Sequence, residues 1–328
     1  MRFKKQLHSL IGFFLLSISV VLLLIFTVYE AWVFHSAGGL IALIVLIGAI
    51  IMILREGQHI WHSTPQKSGT KHLLFSFLAV LFGGILAFFL THDLGLGAVV
   101  AASLVGILAY LVVPKYGVPA YCGAFVGMTS NLLLFNYPEV ALAGVIAGIV
   151  FILTRDVFNG FGGKLGTIAL IGTTITGMGL GREFLLTPIS DWSTNALIIL
   201  IAALATPLTF YLNIERKQGP VLASATVGLI AGLILPNLFP QYGTTLAVVA
   251  ICASFAGMTG KERCSTFWHI LITGLFTGIV FLYSAPLLGG AGGKLGTIAF
   301  GATLSSCGFT WLFKRNLTQT PRVNNEQK

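Results

Sequence analysis

Apolar residues run almost unbroken along this chain, and the interruptions are short. Charge-poor stretches fall at about 10–34, 38–54, 72–91, 95–113, 118–134, 138–154, 165–181, 192–212, 219–235, 243–259, 265–283 and 295–313. Most are 17 to 21 residues, close to the roughly 20 that carry a helix across the hydrocarbon of a bilayer. None shows the period-2 alternation of a lipid-facing strand, which argues against a membrane barrel. The pattern predicts an all-α polytopic membrane protein with about twelve transmembrane helices.

Composition agrees, since 56% of the residues are apolar and 9% charged, against about 25% charged in a soluble globule. The first run follows Arg2, Lys4 and Lys5, but it is too long for a signal-peptide core and lacks a small-residue cleavage site, so it reads as a retained helix. Counting cations between alternating spans puts 17 Lys and Arg on one side and only Arg182 and Lys294 on the other. Positive residues stay inside, so both termini are expected in the cytoplasm and the chain in the cell inner membrane. Making 118–134 and 243–259 re-entrant would expose Arg155, Lys164, Arg216 and Lys217 outside, which that bias disfavours. The net charge of +9 therefore reports orientation, with the lipid bilayer rather than nucleic acid as the partner. Cys122, Cys252, Cys264 and Cys307 lie in or beside apolar runs without metal spacing. His59-x-x-His62 beside Glu56 reads as an interfacial anchor around Trp61, and neither a metal nor a cofactor is expected.

The chain also contains itself twice. Val118 to Thr173 aligns without a gap onto Val248 to Thr303, with 22 of 56 positions identical. The run GGKLGTIA occurs word for word at Gly162 to Ala169 and at Gly292 to Ala299. The predicted organisation is two helices and a loop over 1–71, a five-helix copy over 72–182, a second over 183–313, and a polar cytoplasmic tail over 314–328. An odd number of spans per copy makes the second enter the membrane from the opposite side. Such inverted repeats usually build a pathway where the copies meet.

The candidate residues are duplicated too. Gly162, Gly163, Lys164 and Thr167, with their counterparts Gly292, Gly293, Lys294 and Thr297, form a glycine-rich turn into a helix start, where free amides and the helix dipole favour an anion. A lysine in a first helical turn has the wrong sign for helix stability, which suggests a task other than capping. Gly127, Met128 and Thr129, with Gly257, Met258 and Thr259, end the third span of each copy and could turn polar groups toward a pathway. Inversion puts Thr129 level with Lys294 and Thr259 level with Lys164. Ala143-Gly-x-x-Ala147-Gly and Thr273-Gly-x-x-Thr277-Gly read as close helix packing, and His269 as a satisfied interfacial histidine.

No carboxylate is expected at mid-membrane, so no proton-coupling site is evident. No nucleophile, metal cluster or carboxylate dyad has catalytic spacing, and the chain is not expected to be an enzyme. The leading expectation is a transporter or channel for a small anion or carboxylate-bearing metabolite. Two others stay open: a small neutral-solute channel, sharing only the five-span inverted halves of urea and ammonia channels, and a non-transport scaffold subunit. Oligomeric state is open as well, a homo-oligomer included.

Overall fold

A computed structural model describes residues 2–62, 69–187, 192–264 and 266–319. The end of the polar tail, the middle of the 55–71 loop and the side chains of Trp61 and His62 lie outside the described residues. Within them the chain forms α1 (Arg2–Phe34), α2 (Ser36–His62), α3 (Thr70–His92), α4 (Ala98–Val112), α5 (Gly117–Gly127), α6 (Tyr137–Leu153), α7 (Lys164–Gly179), α8 (Trp192–Phe210), α9 (Pro220–Leu238), α10 (Gly243–Gly257), α11 (Phe267–Tyr283) and α12 (Lys294–Gln319). Six of these, α1, α2, α3, α8, α9 and α12, are long and apolar enough to cross a membrane. Four further apolar helices, α4, α6, α10 and α11, are shorter. The protein is an all-α membrane protein.

Several boundaries depart from the apolar pattern, with α1 starting at Arg2 ahead of its run and α12 continuing to Gln319 into the expected polar tail. Helix α2 runs on through the polar stretch after Leu54 to His62, because Glu56 and Ile60 are buried on one face and no Gly-Pro break intervenes. Helix α5 stops at Gly127 although the apolar run continues to residue 134. There the Thr129 hydroxyl donates to the Val126 carbonyl at 2.6 Å, and the Thr129 amide closes a tight turn on that same carbonyl. A side-chain hydroxyl bonding back to the main chain competes with the helical ladder. Thr259 ends α10 in the same way, with its hydroxyl on Ala256 O at 2.6 Å.

Helices α3–α7 and α8–α12 pack in matching pairs: first with third, first with fourth, and fourth with fifth. Between the two sets, α4 meets α9 and α7 meets α12. Small residues allow these approaches. A Cβ on Gly172 of α7 would strike the Ala143 carbonyl and the Ala147 methyl of α6, so the Ala-Gly-x-x-Ala-Gly motif is a packing seam, as its spacing predicts. At the α7–α12 crossing, a Cβ on Gly166 would collide with the Cα of Gly296, and a Cβ on Gly296 with the Cα of Gly166. The backbones touch there.

Helices α1 and α2 lie outside this doubled arrangement and pack on α12. Gly308 sits against the Gly48 carbonyl, and Phe13 stacks on Phe158 with ring centres 5.2 Å apart. Gly172→Val should lower the thermal unfolding midpoint in detergent, by overpacking worth about 1–3 kcal/mol. Gly179→Ala, with nothing within 4 Å of the new methyl, should leave the midpoint unchanged or slightly raised.

Candidate functional site

Each five-helix set has a non-helical segment between its fourth and fifth helices, 154–163 and 284–293. Both use the same backbone. Phe158, Gly160 and Gly163 have φ of 50°, 80° and 83°, and Leu288, Gly290 and Gly293 have 50°, 78° and 88°. Glycine accommodates this left-handed region without a Cβ clash, and the two non-glycine residues sit at equivalent positions. Gly163 could not carry a side chain in any case, because its Cβ would meet the Gly296 carbonyl and the Phe300 amide.

These segments are held by the opposite copy. The Gly162 amide donates to the Thr259 hydroxyl at 3.2 Å, and the Gly292 amide to the Thr129 hydroxyl at 3.1 Å. The Gly260 amide donates to Gly160 O and the Ser130 amide to Gly290 O, both at 2.9 Å. Each of these four bonds from one copy is returned by the other. Thr129 and Thr259 are thus main-chain anchors, fully buried, and they stand beside the lysine loops that the sequence paired them with.

The lysines have a role that helix sign alone did not reveal. The Lys164 ammonium donates to Thr154 O at 2.7 Å, to Val157 O, and to Asn159 Oδ1 at 3.1 Å. Thr154 caps the carboxyl end of α6, so the charge that is unfavourable at the start of α7 is favourable at the end of the preceding helix. Contrary to the expectation from the sequence, Lys164 does cap a helix, and the helix is the neighbour. Lys294 reaches Ala285 O at 2.9 Å, just beyond α11, as its one protein hydrogen bond among the described residues. Neither lysine belongs to the ion pairs of the described residues, which are Arg155–Asp156, Arg182–Glu139 and Arg263–Glu56.

Two cavities flank the α7–α12 crossing. One, of about 290 Å³, holds Lys164, Gly163, Asn159 and Met258. The other, of about 310 Å³, holds Lys294, Gly292, Gly293 and Met128. Each takes its lysine from one copy and its methionine from the other. Phe125 and Phe255 line both, with ring centres 4.4 Å apart, so this aromatic pair is the wall between the cavities. Tyr121 packs on Phe125 at 4.4 Å, and its hydroxyl begins a buried chain through Ser224 to Ser254 at 3.1 and 2.8 Å.

The remaining candidates lie elsewhere. Gly127 and Gly257 pack against α3 and α8. Gly162 lies beneath the Phe255 and Ala256 carbonyls, outside the Lys164 cavity's lining. Thr167 and Thr297 are completely buried and line neither cavity. Cys122 and Cys252 are buried, each donating its thiol to Leu165 O or Leu295 O at 3.3 and 3.2 Å. His269 is not satisfied as expected: it is 5% exposed, and neither ring nitrogen has a partner among the described residues, because α12 and α2 cover the first turn of α11. Among the described residues no His, Cys, Asp and Glu cluster could hold a metal. The Phe125–Phe255 wall escaped sequence reading, since an aromatic in an apolar helix carries no contrast with its neighbours. Its one signal was its place in the Cys-x-x-Phe-x-Gly-Met-Thr repeat.

Thr259→Val keeps the shape but leaves the buried Gly162 amide without its acceptor. It should cost about 1–3 kcal/mol in detergent unfolding, and Thr259→Ser should recover most of that; equal stability of both variants would count against the anchoring role. Comparison of the chain with protein-family models, curated proteins and solved structures finds no match.

Proposed function

We propose that this protein is an inner-membrane transporter or channel that passes a small anion or carboxylate-bearing metabolite between the Lys294 and Lys164 cavities. The observation that carries this reading is the matched pair of cavities, each with its lysine, separated by the Phe125–Phe255 pair. In this reading all twelve helices cross, both termini are cytoplasmic, and the copies are inverted about an axis in the membrane plane near Gly166 and Gly296. The returned contacts support it, because reciprocal bonding is what a two-fold relation between matching surfaces produces. In this reading α5 crosses together with the 3-10 turn before it (Pro114–Tyr116) and the non-helical residues after it. At 1.5 Å per residue, the 11 residues of α5 rise roughly 17 Å, well short of the ~30 Å hydrocarbon core. Short central helices leave room for vestibules from both faces, where non-helical backbone is tolerated at membrane depth. A lysine without a carboxylate partner in such a vestibule attracts anions.

Lys164 favours a second reading. All three of its N–H groups are taken by protein oxygens, which suits a scaffold lysine beside a narrow pore for a small neutral solute.

Purified protein in liposomes separates the two readings. Carboxylate uptake should fall at least about tenfold in Lys294→Gln, the effect of losing one charge-assisted hydrogen bond. Uptake unchanged in both Lys294→Gln and Lys164→Gln would refute the charge role, and urea flux insensitive to anions would favour the neutral pore. Inversion has its own test, because the exposed residues Asn131 and Lys261 occupy equivalent positions 130 apart and the four native cysteines are buried. An impermeant maleimide should label Asn131→Cys and Lys261→Cys from opposite faces; labelling from one face would defeat the inverted arrangement.

A further inference from the structure

We infer that the Lys294 cavity is the loading site and that its ligand is a monocarboxylate with an apolar body, an inference that rests on the anion reading above. The two cavities match in position and differ in chemistry. In the Lys164 cavity the ammonium is fully coordinated, and Arg155, Thr154 and Asn159 add polar surface. In the Lys294 cavity the residue equivalent to Asn159 is Gly289, so the side-chain acceptor is gone. Lys294 donates to Ala285 O alone among the described residues. An ammonium has three donors, which leaves two N–H groups for a ligand carboxylate.

The rest of that cavity is apolar or glycine except for two threonines. Apart from Lys294, the side-chain polar groups on it are the hydroxyls of Thr187 and Thr245, while Val99, Val248, Phe281 and Ile298 join the Phe125–Phe255 pair as walls. A small hydrated ion would exchange its water there for Lys294, two hydroxyls and the glycine backbone, and would gain nothing from the apolar walls. A carboxylate that presents its head to Lys294 and an aliphatic or aromatic body to these walls keeps its charge paired and buries apolar surface. The volume of about 310 Å³ is near the lower end for small-molecule pockets, which run from roughly 300 Å³, so the body is short.

The test is equilibrium binding to the purified full-length protein in detergent at constant ionic strength. The probes are sodium acetate, propionate, butyrate, valerate and hexanoate, the matching amides, and sodium chloride and sulfate. Affinity should rise about fourfold for each added methylene until the cavity is full, the amides should bind at least about tenfold more weakly, and Lys294→Gln should abolish the preference for carboxylate over amide. Val248→Trp narrows the wall without touching the lysine. It should end the series at a shorter chain, which keeps the test decisive if Lys294→Gln does not fold. Chloride or sulfate binding as tightly as the acids, with no dependence on chain length, would overturn this inference and leave the anion reading standing. Amides binding as well as acids, or no binding by any probe, would bring down both.

Discussion

Everything in the core rests on the contact between Gly166 and Gly296, where two helices meet backbone to backbone. A single methyl on either glycine would push the helices apart, and with them the turns 154–163 and 284–293. Those turns could then no longer reach Thr259 and Thr129 across the junction. Dispersion and hydrogen bonding, rather than the hydrophobic effect, hold apolar helices together in a lipid environment. Close approach at one point therefore decides whether the reciprocal bonds form at all. The cavities are a by-product of this geometry. Helices that cross near their starts diverge on both sides, and the divergence leaves space.

The lysines show how one charge serves two helices. Placed at the start of α7 and α12, each would weaken its own helix, yet each folds back, Lys164 to the carbonyl of the residue that caps α6 and Lys294 to Ala285 O just beyond α11. The glycines on either side make that reversal feasible, since the chain must turn sharply between the helix that ends and the helix that begins. Asn159 completes the arrangement in one copy, and its absence in the other is what distinguishes two otherwise equivalent places.

Much of this was legible in the sequence. The apolar runs located the helices, and the duplicated words Gly-Gly-Lys and Gly-Met-Thr marked the segments that the structure joins, because a repeated motif keeps its contacts when the whole unit is repeated. The pairing of Thr129 with the Lys294 loop followed from counting spans. Less visible was anything that depends on the partner of a group rather than its identity. The capping role of Lys164 was hidden because two of its three acceptors are main-chain carbonyls, which every residue carries. Phe125 and Phe255 looked like any other aromatics among apolar neighbours. His269 looked satisfied because nothing local signals that α12 and α2 cover its ring. The early end of α5 was hidden for a related reason: a threonine hydroxyl redirected toward its own helix is a local choice that hydropathy does not register.

The clamp from α2 has a consequence of another kind. Glu56 grips Arg263 through both carboxylate oxygens, at 2.6 and 3.2 Å, and Arg263 in turn donates to Asn159 O at 3.0 Å and lies over Phe161. Glu56 comes from outside the doubling and reaches, through Arg263, only the turn at 154–163. Leu133 stands where the first copy would need an equivalent arginine, so the two added helices act as ballast on one side of otherwise matching halves.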